Sequence, residues 1–302
     1  MINIKGQEGL RGAALVVAVM LACNSAARAD DFEKFQERAR QQKKELISKL
    51  TDQHAPCIVT IEFISKESFM GQEQKNEMEA TAVMVSPDGL VLAANSRLQG
   101  FMSMAMGMMG GMMGGMMGGM PTPQSDTEDI KIIIGDDDSE KYEAKLIARD
   151  SDLDLAWMQI TDTKGRTFKY VDFQNSTQLE VGDSYYTISR MGQRFDRVPL
   201  VSSSSIAAVV QNPRPLLVGS ATMSWGGPVF GADGKVAGFV VTQPPEPGEQ
   251  GAMSLESIMN MGGFILPAKK IVKAMEQARE IAKKQPAEDA EDAEDAKPGD
   301  AP

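Results

Sequence analysis

From residue 57 onward, apolar and polar positions along the chain alternate with a period of two. Residues 57–65, CIVTIEFIS, alternate and are rich in β-branched side chains, which predicts a strand. After a polar loop, residues 80–95, ATAVMVSPDGLVLAAN, predict two strands joined at Ser86-Pro87-Asp88-Gly89, four residues that favour a tight turn. Strands resume over 129–160, with Asp136-Asp137-Asp138 at a hairpin turn. Residues 220–241 read as a run of small residues, a Gly226-Gly227-Pro228 turn and two short apolar strands joined at Asp233-Gly234.

The period changes to that of a helix near both ends. Over 30–50, Phe32, Phe35, Ala39, Leu46 and Ile47 fall at helical spacing, with acidic residues first and basic ones later, as the helix dipole favours. Residues 30–54 are therefore an amphipathic arm. Residues 262–284 predict a strand and then a helix with Ile271, Val272, Met275, Ala278 and Ile281 on one face. The Pro-, Ala- and acid-rich stretch 285–302 is expected to be disordered. Residues 101–123 repeat Met-Met-Gly-Gly; the glycines disfavour a helix and the lack of β-branched residues disfavours a strand, so this reads as a flexible loop between strands.

Charge and composition sharpen this outline at a few points. Lys5 and Arg11 precede an apolar run at 13–22, and Ala27-Arg28-Ala29 offers a cleavage site, so 1–29 reads as a secretory signal and the protein is expected to be periplasmic or secreted. The run is too short for a stable membrane span. Lipid attachment at Cys23 is the alternative, disfavoured by Met20. Cleavage leaves Cys57 alone, so packing and no intrachain disulfide holds the domain. A net charge of −11 argues against nucleic acid as a partner. The three aspartates lack the alternating spacing of a calcium loop and read as a solvated turn.

The thioethers of Met108, Met109, Met112, Met113, Met116 and Met117 are soft ligands suited to Cu(I), and a flexible Met-rich surface also suits apolar clients. An insertion without a task is the preferred reading of this tract. No cofactor is assigned.

Several stretches together resemble the trypsin-like serine proteases, most closely their HtrA (Deg) branch. Residues 220–230, SATMSWGGPVF, resemble the nucleophile loop G-N-S-G-G-[AP]-L, and 80–98 resemble the two strands that end on the catalytic histidine. Residues 142–160 resemble the stretch whose second aspartate orients that histidine; 179–192 and 198–215 resemble the opening of the second barrel, and 262–284 its closing strand and helix. The resemblance covers about residues 55–284. It implies an all-β fold, a trypsin-like double six-stranded β-barrel with an N-terminal and a C-terminal helix. Barrel 1 would occupy about 55–160 with the insertion 101–123, barrel 2 about 170–268, and the closing helix 268–284. No PDZ module is expected to follow.

The resemblance places Ser96 where the histidine belongs, Trp225 where the serine belongs, Met223 at the oxyanion glycine, and Asp154 at the retained aspartate. The only histidine, His54, stands before the first strand. Serine catalysis needs a nucleophile, a base and oxyanion donors, and losing the serine or the histidine costs on the order of 10⁶ in turnover in subtilisin, the best-studied example. Ser224 as a displaced nucleophile would still lack a base.

The expected function is therefore a pseudoprotease that binds polypeptide or regulates an active relative, with weak or unconventional endopeptidase activity as the alternative. Unfolded or extended polypeptide would lie in a cleft lined by Trp225, Gly226 and Gly227, or the partner would be an active HtrA-like protease. The resemblance also implies a trimer formed through the arm. Asp154 is expected as a buried or half-buried carboxylate bonded to backbone, with Ser96 as a further candidate partner.

Overall fold

The computed structural model describes residues 32–69, 72–99, 124–136, 138–212, 214–219, 226–242 and 263–295. The expected signal segment, the Met-rich tract, Met223, Ser224 and Trp225 lie outside the described residues. A helix, α1, runs over 32–54. The chain divides after Lys49 into two units, and the second contains all the strands.

In that unit β1 (Ile58–Phe69), β2 (Gln72–Met84), β3 (Leu90–Ala94), β4 (Gln124–Ile133), β5 (Lys141–Asp150) and β6 (Leu155–Ile160) close a barrel in the order β1-β2-β3-β6-β5-β4. The strands β7 (Ser184–Arg190), β8 (Pro199–Val210), β9 (Leu216–Gly219), β10 (Pro228–Gly231), β11 (Val236–Val241) and β12 (Phe264–Pro267) close a second in the order β10-β11-β12-β9-β8-β7. Helix α2 (Ala268–Asp295) follows. Two antiparallel six-stranded barrels with a helix at each end are the trypsin-like architecture.

Period-two alternation explains the cores. Val59, Ile61 and Phe63 of β1 turn inward to meet Val91 and Ala93 of β3 and Ala156, Met158 and Ile160 of β6. Tyr185, Val229, Val240 and Ile265 do the same in the second barrel. Strands β3, β10 and β11 are buried along their whole length, which is why they read as nearly unbroken apolar runs. At the β2–β3 turn Gly89 has φ +90°, and a Cβ there would stand 2.9 Å from Ile160 Cβ, so both backbone and packing demand glycine.

Two local expectations need correction. The polar loop after residue 65 is a long hairpin: β1 and β2 stay paired out to Phe69↔Gln72, a ladder held by backbone hydrogen bonds that polar side chains conceal from a hydrophobic pattern. Helix α2 continues to Asp295, beyond the expected end at 284 and into the stretch expected to be disordered; alanine and glutamate are strong helix formers.

The aspartate turn is solvated, as expected, with Asp136 and Asp138 exposed, and it also serves as an ion-pair clamp between the barrels. Arg190, at the end of β7, donates to Asp136 Oδ1 at 2.6 Å and to the carbonyls of Ile58 (2.5 Å), Ala55 (3.0 Å) and Arg197 (2.9 Å). Arg197, 2 % exposed, donates to Glu79 Oε1 at 2.6 Å and Asp138 Oδ1 at 2.7 Å. The turn's carboxylates thus meet two cations from the other barrel, which no local pattern announces.

Candidate functional site

Strand β3 ends at Ala94 and the chain turns through a short 3₁₀ helix, Asn95–Leu98, that carries Ser96 and Arg97. Strand β6 begins just after Asp154, which sits in the left-handed region at φ +58°. The pairing Ala94↔Leu155 is continued by Asn95 N–H donating to the Asp154 carbonyl at 3.0 Å. Two residues 58 positions apart are thereby brought side by side.

The Asp154 side chain is 3 % exposed and accepts four hydrogen bonds. Oδ1 accepts from Ser96 N–H at 2.6 Å, and Oδ2 accepts from Ser96 Oγ at 3.0 Å. Oδ2 also accepts from Thr242 N–H at 2.7 Å and Thr242 Oγ1 at 2.8 Å. Thr242 directly follows β11, so the carboxylate ties the two barrels together. Hydrogen bonds to a carboxylate are among the stronger ones, and a buried one is held only when its lone pairs are occupied. The expectation of a buried or half-buried Asp154 bonded to backbone, with Ser96 as a candidate partner, matches this arrangement. Thr242 was not legible, because it lies 88 positions away with no motif of its own.

Second-layer contacts fix the turn that presents Ser96. Arg149 donates to Asn95 Oδ1 at 3.1 Å and to Thr127 Oγ1 at 2.6 Å, and Thr127 in turn donates to the Leu98 carbonyl at 3.1 Å. Arg97 is half-buried; burial lowers its pKa, and the nearby Asp154 carboxylate partly reverses the shift.

Gly226 has φ +81°, and a Cβ there would lie 3.0 Å from Ala94 Cβ and 3.4 Å from Arg97 Cγ. Gly226 therefore packs against the Ser96 turn. A Cβ on Gly227 would stand 3.1 Å from the Ile188 carbonyl. Both glycines are buried. Of the residues assigned from the sequence, the structure brings Ser96, Asp154 and Gly226 into one neighbourhood, while Met223 and Trp225 lie outside the described residues.

The single imidazole is elsewhere. His54 Nε2 donates to the Gly234 carbonyl at 3.0 Å, and its ring stacks on Phe230 with centroids 4.1 Å apart. Gly234 is at the β10–β11 turn, whereas Asp154 meets Thr242 at the far end of β11; at roughly 3.3 Å per residue a six-residue strand separates them by about 20 Å. Among the described residues no group of three or more His, Cys, Asp or Glu side chains is placed to hold a metal ion.

The family profile of the trypsin-like peptidase domain matches residues 80–239. No curated protein matches the chain in sequence. Among solved structures the chain is similar to Deg5, with 16 % identity and a TM-score of 0.48 over 76 % of this chain and 92 % of that one. It is also similar to the apo MamO protease domain from Magnetospirillum magneticum, with 16 % identity and a TM-score of 0.44 over 74 % of this chain and 97 % of that one.

Proposed function

The chain belongs to the trypsin-like peptidase domain family, and we propose that within it this is an exported pseudoprotease of HtrA type, binding extended polypeptide without cleaving it. One observation carries the reading: the carboxylate that would orient a catalytic imidazole is filled by Ser96 and Thr242 donors. The side chain at position 96, where the imidazole would stand, is a hydroxyl that donates to the carboxylate and supplies no base. The sequence supports the same reading, since Trp225 cannot attack a carbonyl and Met223 replaces the glycine of the oxyanion loop.

The contact between Ser96 Oγ and Asp154 favours a second reading, weak hydrolysis by a serine activated directly by a carboxylate. Chemistry opposes it. A general base needs a lone pair free to take the proton of the alcohol. Asp154 Oδ2 is shared with both Thr242 donors.

Polypeptide binding is tested through Trp225. The sequence has two tryptophans, and Trp157 is buried in β6, so Trp157→Phe leaves Trp225 as the only indole reporter. Acrylamide quenching of this variant should weaken when reduced, unfolded casein is added. Quenching that casein leaves unchanged, at concentrations saturating for an active relative, would contradict binding in the cleft.

A further inference from the structure

The chain's one histidine is at the last residue of α1, where the helix passes into the 3₁₀ turn Ala55–Cys57 and then β1. It is 8 % exposed. The ring makes two contacts with the second barrel: the stack on Phe230 and the hydrogen bond to the Gly234 carbonyl. Because a carbonyl only accepts, the proton in that bond belongs to Nε2, and the neutral ring has its bare nitrogen at Nδ1. Among the described residues nothing hydrogen-bonds Nδ1. Four residues earlier, Leu50 is buried against the same turn, where its Cδ2 would be 3.9 Å from a Cβ on Gly234. Leu50 and His54 are thus two successive helical turns seated on one β-turn.

Adding a proton at Nδ1 would charge a ring that is withdrawn from most of the solvent. The charged groups on the packed elements are Asp52 on α1, Asp233 and Lys235 flanking Gly234, and Arg190 of β7, whose guanidinium donates to the carbonyl of Ala55, the next residue. Asp233 Oδ1 is engaged with Lys235 N–H at 3.0 Å. Arg190 thus sets a cation one residue from His54, Asp52 is two residues before it on the same helix, and no carboxylate is bonded to the ring among the described residues. Burial lowers the His54 pKa, and the Gly234 carbonyl offsets this in part.

We propose that His54 is an acid-sensitive latch: neutral, it seats the end of α1 on the β10–β11 turn, and protonated, it releases that end from the barrels. The sign is set by linkage. The unfolded or released ring titrates near 6.5 and the seated ring below it, so the seated state holds its full stability above about pH 6.5 and loses it as pH falls through the seated value. The latch does not depend on whether the cleft cleaves or only binds. Since no second imidazole exists, a transition between pH 5 and 7 has one side chain to account for it.

The test is amide hydrogen exchange of the full chain over residues 50–58, with exchange times corrected for intrinsic rate, at pH 7.5 and pH 5. Protection should fall between these two pH values by at most about thirtyfold, the ceiling set by a released ring that titrates near 6.5. The His54 ring signals should titrate with a midpoint below 6.5 by NMR. His54→Gln keeps a donor for Gly234 without titrating, so its protection should be the same at both pH values. Equal pH dependence in the wild type and His54→Gln, or a ring midpoint at or above 6.5, overturns the latch. Should His54→Gln lose protection at both pH values, the wild type decides alone: protection that follows the ring's titration supports the latch, and protection indifferent to it overturns it.

Discussion

Asp154 supports the fold through its lone pairs. Truncating it would leave two backbone N–H groups and two hydroxyls without their acceptor, and each buried donor left unmade costs about 1–3 kcal/mol. Water entering the space recovers part of that, so Asp154→Ala is expected to destabilise by about 3 kcal/mol. Thr242→Val, which removes a single hydroxyl donor, is expected to cost about 1 kcal/mol. Urea unfolding of both variants checks the ratio; equal and negligible losses would mean that the carboxylate is not a tie between barrels.

Cys57 offers a second single-residue check. Burial pushes its thiol up to about 11, with Lys169 opposing, so the reactive thiolate is scarce in the native protein at pH 8. Labelling by a disulfide reagent should be slow in buffer and fast in denaturant. The same rate in both would show that Cys57 is accessible in the native state.

Ser96 and Asp154 were legible through the resemblance of residues 80–98 and 142–160 to the motifs of the trypsin-like proteases. Thr242 was not, because nothing in its neighbours along the chain marks the carboxylate that it meets in space.

The β7–β8 loop shows how one element is held by another's charges. Asp196 and Arg197 both have positive φ, at +53° and +46°, a conformation that costs a non-glycine residue roughly 1 kcal/mol or more. Arg197 repays this by reaching Glu79 and Asp138 of the first barrel, and Gln193 N–H adds a bond to Glu79 Oε2 at 3.1 Å. Arg190 matters more to stability, because three of its four acceptors are backbone carbonyls that have no substitute donor when it is removed. Arg190→Met should therefore destabilise by about 3 kcal/mol, with little relief from salt, since the arginine itself is buried. A loss below 1 kcal/mol in thermal or chemical unfolding would assign the clamp a negligible role. The aspartate turn itself was visible in the sequence as a hairpin, but its purpose was not: the cations lie 54 and 59 positions downstream. The long β1–β2 hairpin was missed for a related reason, because backbone pairing leaves no hydrophobic signature when both faces carry polar side chains.

At the largest scale, the described residues form two closed barrels without an open sheet edge, and the barrels share contacts through Asp154–Thr242, Gly226–Ala94 and the arginine clamp. Strands were readable from alternation and turn residues, and the double-barrel architecture from the resemblance of the loop motifs to those of the trypsin-like proteases. A client has no comparable trace, since an interface that reads extended backbone makes few demands on particular residue types.

The central claim is that the family's scaffold persists without its reaction, and it is tested most directly by mass spectrometry of a diverse peptide mixture incubated with the purified full chain and with its Asp154→Asn variant. The account predicts no cleavage product above the enzyme-free control in either sample. Cleavage sites that appear with the wild type, increase with its concentration and vanish with Asp154→Asn would contradict it.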